Sequence, residues 1–162
     1  MTNGFDILSR ARVLQVHWLK RLCAFAIDAA IVLLPTLAIL YLLGVHAAVV
    51  FGIISGIIFM IYSALAEATS EQTIGKAVLH LRVKSRKGKV TAGEATLRNI
   101  PKFFWYIFPI IDVLLGLTTQ GDPRQRLSDR ILGTTVVQAH YLRVKVHRID
   151  VDKEATKPPA KA

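Results

Sequence analysis

A single cysteine, Cys23, excludes an internal disulfide and a multi-cysteine metal site. Histidine is scarce and scattered: none of the five stands in an H-E-x-x-H arrangement, and no G-x-S-x-G occurs. Acidic residues are few, 11 against 21 Lys and Arg, which leaves a net charge of +10. The first apolar run lacks a small-residue cleavage pattern at its end, so it is read as a retained anchor rather than a removed signal. Thr73-Ile74-Gly75-Lys76-Ala77 has part of a phosphate loop, but Ser70 stands where a glycine is needed and Ala77 follows the lysine. With no visible nucleophile, metal set or cofactor loop, neither enzymatic activity nor a cofactor is expected.

What remains is strongly segregated. Apolar residues make up 52% of the chain, yet all 21 basic residues lie outside the long apolar runs. Segments 1–21, 67–102 and 118–162 hold 4, 8 and 9 of them. Such separation marks a membrane protein. The basic residues flank apolar spans, where anionic lipid headgroups explain them more simply than nucleic acid does.

The first expected span is 22–43, about 33 Å of helix against a hydrocarbon core of about 30 Å. Pro35 lies in mid-span and takes the helical partner from the Ile31 carbonyl, which predicts a kink. The second span is 45–66, closed by Glu67. Gly44-Val45-His46 leaves room only for a tight antiparallel turn between the two. Ala48, Gly52 and Gly56 are four apart, a spacing that lets helix backbones approach closely, with span one or a second copy as the partner. Before the first span, residues 7–20 form either a basic interfacial helix or an extension of that span.

The region 67–102 is different. Leu79, Leu81 and Val83 alternate with His80, Arg82 and Lys84, and Lys89-Val90-Thr91 follows, which predicts a β-hairpin. Arg86, Lys87 and Lys89 form its basic tip. Thr91 is the expected cap of a helix over 92–99. The third apolar segment, 97–118, is interrupted by Pro101 and Pro109 and contains Asp112. It is either a broken third span or a re-entrant helical pair. The basic residues on both sides of it favour re-entry, with the N-terminus and 67–102 on the cytoplasmic side of the cell membrane. Gly133–Gln138 reads as a strand, Leu142–Val146 as a second one, and the tail from Lys153 as disordered. The fold class is therefore a mainly α-helical membrane protein. It has a basic segment 1–21, a membrane domain 22–139 and a basic C-terminal segment 140–162.

Asp28 is the only charged residue between Leu22 and Leu43. A carboxylate at the centre of a span costs roughly 2.5–3.5 kcal/mol on insertion scales, so it needs a partner, water or a proton. Arg21 lies seven residues earlier on the same face, about 10 Å away along the axis. Asp112 and Asp129 are the natural acidic partners for Arg21. Arg98, Arg126 and Arg130 are the natural cationic partners for Asp28.

These residues resemble the RDD family of membrane proteins, named for one arginine and two aspartates. The resemblance runs through Arg21-Leu-Cys-Ala-Phe-Ala-Ile-Asp28, Thr73-Ile-Gly-Lys76, Leu81-Arg-Val-Lys84, Gly88, Leu97-Arg98-Asn99 and Gln125-Arg-Leu-Ser-Asp129-Arg-Ile-Leu-Gly133-Thr134. It covers residues 18–139. It implies Arg21, Asp28 and Asp129 as the naming triad, with Asp112 a weaker competitor for the last place. Ser128 departs from the histidine frequent in the family. The resemblance implies no fixed activity, although some members are associated with sodium–proton exchange. Two functions follow. One is a membrane scaffold or interaction module locked by buried Arg and Asp, facing anionic lipid or an acidic partner. The other is cation or proton exchange through Asp28, which two spans can support only as a homo-oligomer.

Overall fold

The computed structural model describes residues 4–119 and 121–139. The expected second C-terminal strand and the tail lie outside them. A short helix α1, Gly4–Arg10, stops at Ala11, whose backbone is extended. Helix α2 then runs without interruption over Arg12–Leu42. Most of the expected 7–20 helix is therefore an extension of the first apolar helix. Pro35 lies inside α2 without ending it, and Thr36 Oγ1 donates to the Val32 carbonyl at 2.7 Å.

The buried residues of α2 include Leu14, Ala24, Asp28, Val32, Thr36 and Leu40, at intervals close to whole helical turns. Asp28 thus stands on the stripe that faces the protein. The opposite face is apolar and bare: Leu42 is 83% exposed, and Val49 on the next helix 74%. A contiguous surface of this kind suits lipid rather than water.

Gly44, at φ +73°, makes the turn, and α3 follows over Ala48–Ser70. This corrects the expected end of the second span. Glu67 does not close the helix; it lies fully buried within it, and the helix ends at Glu71 in the left-handed conformation. Alanine-rich Ala64–Ala68 offers nothing to break the helix, so the loss of apolar character at Glu67 is a change of environment, not of backbone.

A five-residue helix α4, Ile74–Val78, leads into β1, Leu81–Ser85. The expected hairpin over 79–91 does not form. β1 pairs antiparallel with β2, Thr134–Gln138, placing Val83 opposite Val136, and only a single bridge joins Ser85 to Gly88. Burial decides the partner: Leu81, Val83 and Val136 share one face and enclose a small core with Ala24, Val90 and Ala95. Val90 packs as a core side chain rather than as a strand. Arg86, Lys87 and Lys89 remain an exposed basic turn.

Helix α5, Ala92–Asn99, starts at Thr91 as expected, with a capping box to Glu94. A 3₁₀ turn, Ile100–Phe104, and helix α6, Phe108–Thr118, complete the third apolar segment. Its two halves, Ala92–Phe104 and Phe108–Thr118, are bent by 118°. Pro101 and Pro109 each sit in the first turn of the element they begin, where a missing N–H costs no helical hydrogen bond. Helix α7, Leu127–Ile131, precedes β2.

Within the chain, the small-residue row of α3 does not form a close contact with α2. A Cβ on Gly56 would strike the backbone carbonyl of Phe103 in the 3₁₀ turn, whereas one on Gly52 would meet nothing within 4 Å, and Ala48 is exposed. We expect Gly56→Ala to destabilise by about 1–3 kcal/mol through overpacking. Gly52→Ala should be neutral or stabilising by up to about 1 kcal/mol. Thermal unfolding of the two variants in detergent checks the contrast, and equal effects would refute this packing.

Candidate functional site: a buried charge network

Asp129 is the centre of the site. It lies in the first turn of α7, is fully buried, and pairs with arginines on two other helices. Arg98 Nη2 of α5 lies 2.7 Å from Oδ1, and Arg21 Nη2 of α2 lies 2.9 Å from Oδ2. Arg126 Nε, just ahead of α7, is 3.5 Å from Oδ2 and also 3.5 Å from Asp112 of α6. Burial alone would raise the Asp129 pKa, but Arg98, Arg126 and Arg21 together hold it well below the usual carboxylate range.

The network continues from Arg98 to a second carboxylate. Arg98 Nε is 3.3 Å from Glu67 Oε2 on α3, and Asn99 Nδ2 donates to the same oxygen at 2.9 Å. Lys76 of α4 pairs with Glu67 Oε1. Burial pushes Lys76 down to about 8, against the opposite pull of Glu67. Each of α2, α3, α4, α5, α6 and α7 thus contributes a charged side chain to one connected cluster.

Asp28 stands apart from the arginines. None of Arg98, Arg126 and Arg130 is its partner, which corrects the expected cationic pairing. Thr73 Oγ1 donates to Oδ2 at 2.5 Å, while the Gly75 N–H and the Tyr62 hydroxyl donate to Oδ1 at 2.8 and 2.9 Å. Both oxygens are occupied by neutral donors gathered at the start of α4, where backbone N–H groups favour a negative charge. Gly75 is required for this approach. A Cβ there would strike the Ala24 carbonyl and lie 3.0 Å from the Asp28 carboxyl carbon.

The Thr73-Ile-Gly75-Lys76 run is therefore accounted for residue by residue. Thr73 binds Asp28 and caps α4, Gly75 supplies both space and an N–H, and Lys76 reaches Glu67. Its partial likeness to a phosphate loop has a physical basis: the anion it holds is the chain's own Asp28.

The remaining sequence candidates sort as follows. Arg21, Asp129, Asp112, Arg98 and Arg126 come together. Of the two acidic partners foreseen for Arg21, Asp129 is engaged and Asp112 is not. Asp112 instead accepts from the Ser128 N–H at 2.8 Å and the Ser128 hydroxyl at 2.6 Å, so the serine has a defined role. Arg130 binds Thr119 Oγ1 and the carbonyls of Gly116 and Asp122. Sequence reasoning missed Glu67, Tyr62, Asn99 and Lys102. For Glu67 the available signal was its place at the foot of an apolar run, directly ahead of a short, lysine-bearing motif.

Two long apolar helices, a sharply bent third apolar segment and a cluster of buried charges joining them define a class: a helical protein built to fit a membrane. Residues 16–133 match the model of the RDD family, and the chain belongs to that family. No curated protein and no solved structure matches it.

Proposed function

We propose that this protein is a membrane scaffold or interaction module, and that the Arg21–Asp129–Arg98–Glu67 network locks its membrane helices to a small cytoplasmic cap. The observation that carries this is the engagement of Asp129 by arginines of α2 and α5, alongside the adjacent Arg126. Charges held this way have no free coordination for a passing ion. The 118° bend supports a re-entrant third segment, which leaves 67–102 and the residues after 118 on one side, as the basic bias requires. The exposed Arg86, Lys87 and Lys89 then face anionic headgroups or an acidic partner.

A second reading, cation or proton exchange by an oligomer, draws on one observation: Asp28 lines a cavity. Against it stands the occupation of both carboxylate oxygens by three donors. Reconstituted wild-type protein of verified orientation should show no sodium flux driven by a pH gradient. Asp28→Asn should lower stability by about 1.5–3 kcal/mol, the range for a hydrogen-bonded charge. Wild-type flux that Asp28→Asn abolishes would replace the locking role with transport.

A further inference from the structure

A cavity of about 750 Å³ lies between the first half of α2 and the bent third segment. That is within the roughly 300–1,000 Å³ of ordinary ligand sites. Its walls include Leu22, Phe25, Trp105 and Val113, whereas Arg21, Lys76, Lys102 and Arg126 reach it with Asp28 as the one carboxylate. Three of these cations already have carboxylate partners: Arg21 and Arg126 on Asp129, Lys76 on Glu67.

Lys102 does not. It is only 4% exposed, yet it forms no ion pair among the described residues. Its ammonium donates to Ser63 Oγ at 2.8 Å and lies 5.0 Å from the Phe59 ring centroid. A buried ammonium with a single neutral acceptor is costly to hold, and an anion delivered to it would be bound strongly.

The source of that anion follows from the walls. Leu19, Leu22 and Ile110 line the cavity and are 59%, 64% and 61% exposed, so its mouth is continuous with the bare apolar face of the protein. A soluble anion would leave most of this surface uncovered. A molecule with a charged head and a hydrocarbon chain would satisfy both parts.

We propose that the cavity is a binding site for an anionic membrane lipid, its phosphate headgroup on Lys102 and an acyl chain along the walls of α2 and α6. This goes beyond the locking role, because Lys102 forms no ion pair among the described residues and is not one of the charges that make up the network.

The chain's two tryptophans, Trp18 and Trp105, both line the cavity and report on it. Full-length protein is reconstituted in phosphatidylcholine vesicles containing rising fractions of brominated phosphatidylglycerol or brominated phosphatidylcholine, and tryptophan emission is followed. Half-maximal quenching should need about tenfold less of the anionic lipid, the equivalent of one good charge contact. Lys102→Gln should bring the two lipids within twofold of each other, and Lys102→Arg should restore the preference. Val113→Phe, which narrows the cavity and leaves Lys102 in place, should lower the quenching reached at saturation by the anionic lipid; this decides the matter if Lys102→Gln does not fold. Equal quenching by both lipids in the wild type, or an unchanged preference in folded Lys102→Gln, would overturn the proposal. So would displacement by millimolar glycerol 3-phosphate, which has a headgroup and no chain, or cross-linking that shows a second copy covering the cavity.

Discussion

Asp129→Asn is expected to destabilise the protein by about 3–5 kcal/mol, the cost of removing one partner from a buried ionic cluster. The asparagine nearly preserves shape, so packing is not the source. The loss is electrostatic: Arg21, Arg98 and Arg126 converge on this carboxylate, and Arg98 is itself fully buried. Arginine stays charged throughout the accessible pH range, so the variant cannot relieve the repulsion by releasing a proton. The effect has a defined pH window. The folded-state pKa of Asp129 is depressed, so its contribution is full above the ordinary value of 3.8 and is lost as pH falls from there through the folded-state value. Melting temperatures of wild type and variant should therefore differ by a constant amount from pH 7 down to about 4 and converge below it. A gap under about 1 kcal/mol at pH 7 would show that the network does not lock the fold.

Glu67→Gln should cost a similar amount at pH 7, because it strands the buried Lys76 and leaves Arg98 with Asp129 as its remaining carboxylate. Its pH response should be the opposite. Burial already holds Lys76 down to about 8, and without Glu67 the ammonium falls further. A lysine whose folded-state pKa is lowered binds its proton more tightly when unfolded, so stability rises with pH up to the ordinary 10.5. Melts at pH 7 and pH 9.5 separate the two variants: Glu67→Gln should recover part of its loss at the higher pH, and Asp129→Asn should not. If both behave alike, Lys76 is not the group that Glu67 neutralises.

Much of the fold was legible because it depends on local composition. The two long helices follow from apolar runs that meet few breakers. The start of α5 follows from Thr91 with Glu94 three residues on, a pair whose hydrogen bonds close within a single turn. The bend of the third segment follows from the two prolines that interrupt it. The pairing of Arg21 with Asp129 was also among the expected contacts.

Long-range choices were not legible. Strand β1 had a nearby alternating neighbour at Lys89–Thr91 and paired instead with residues about fifty positions away, because only that register buries Val83 against Val136. Gly56 was expected to meet a helix of the hairpin or of another copy, and it meets the backbone of Phe103. In the sequence Glu67 reads as the end of a span, since a charge after an apolar run normally marks water. Three neighbours brought in by α4 and α5, Lys76, Arg98 and Asn99, make its position a core instead.

Sequence alone thus determined the medium this protein suits, the number of long helices and the family to which it belongs, because hydropathy and motif order need no knowledge of contacts. Only the tertiary structure decided what each buried charge is for. In one dimension Arg21 has two candidate carboxylates, Asp112 and Asp129, and Asp28 has three candidate cations. In three, Arg21 crosses to Asp129, and Asp28 is held by the hydroxyls of Thr73 and Tyr62 and the N–H of Gly75. A buried charge goes to whichever donors the packed helices bring within about 3 Å of it, and that distance is set by the fold.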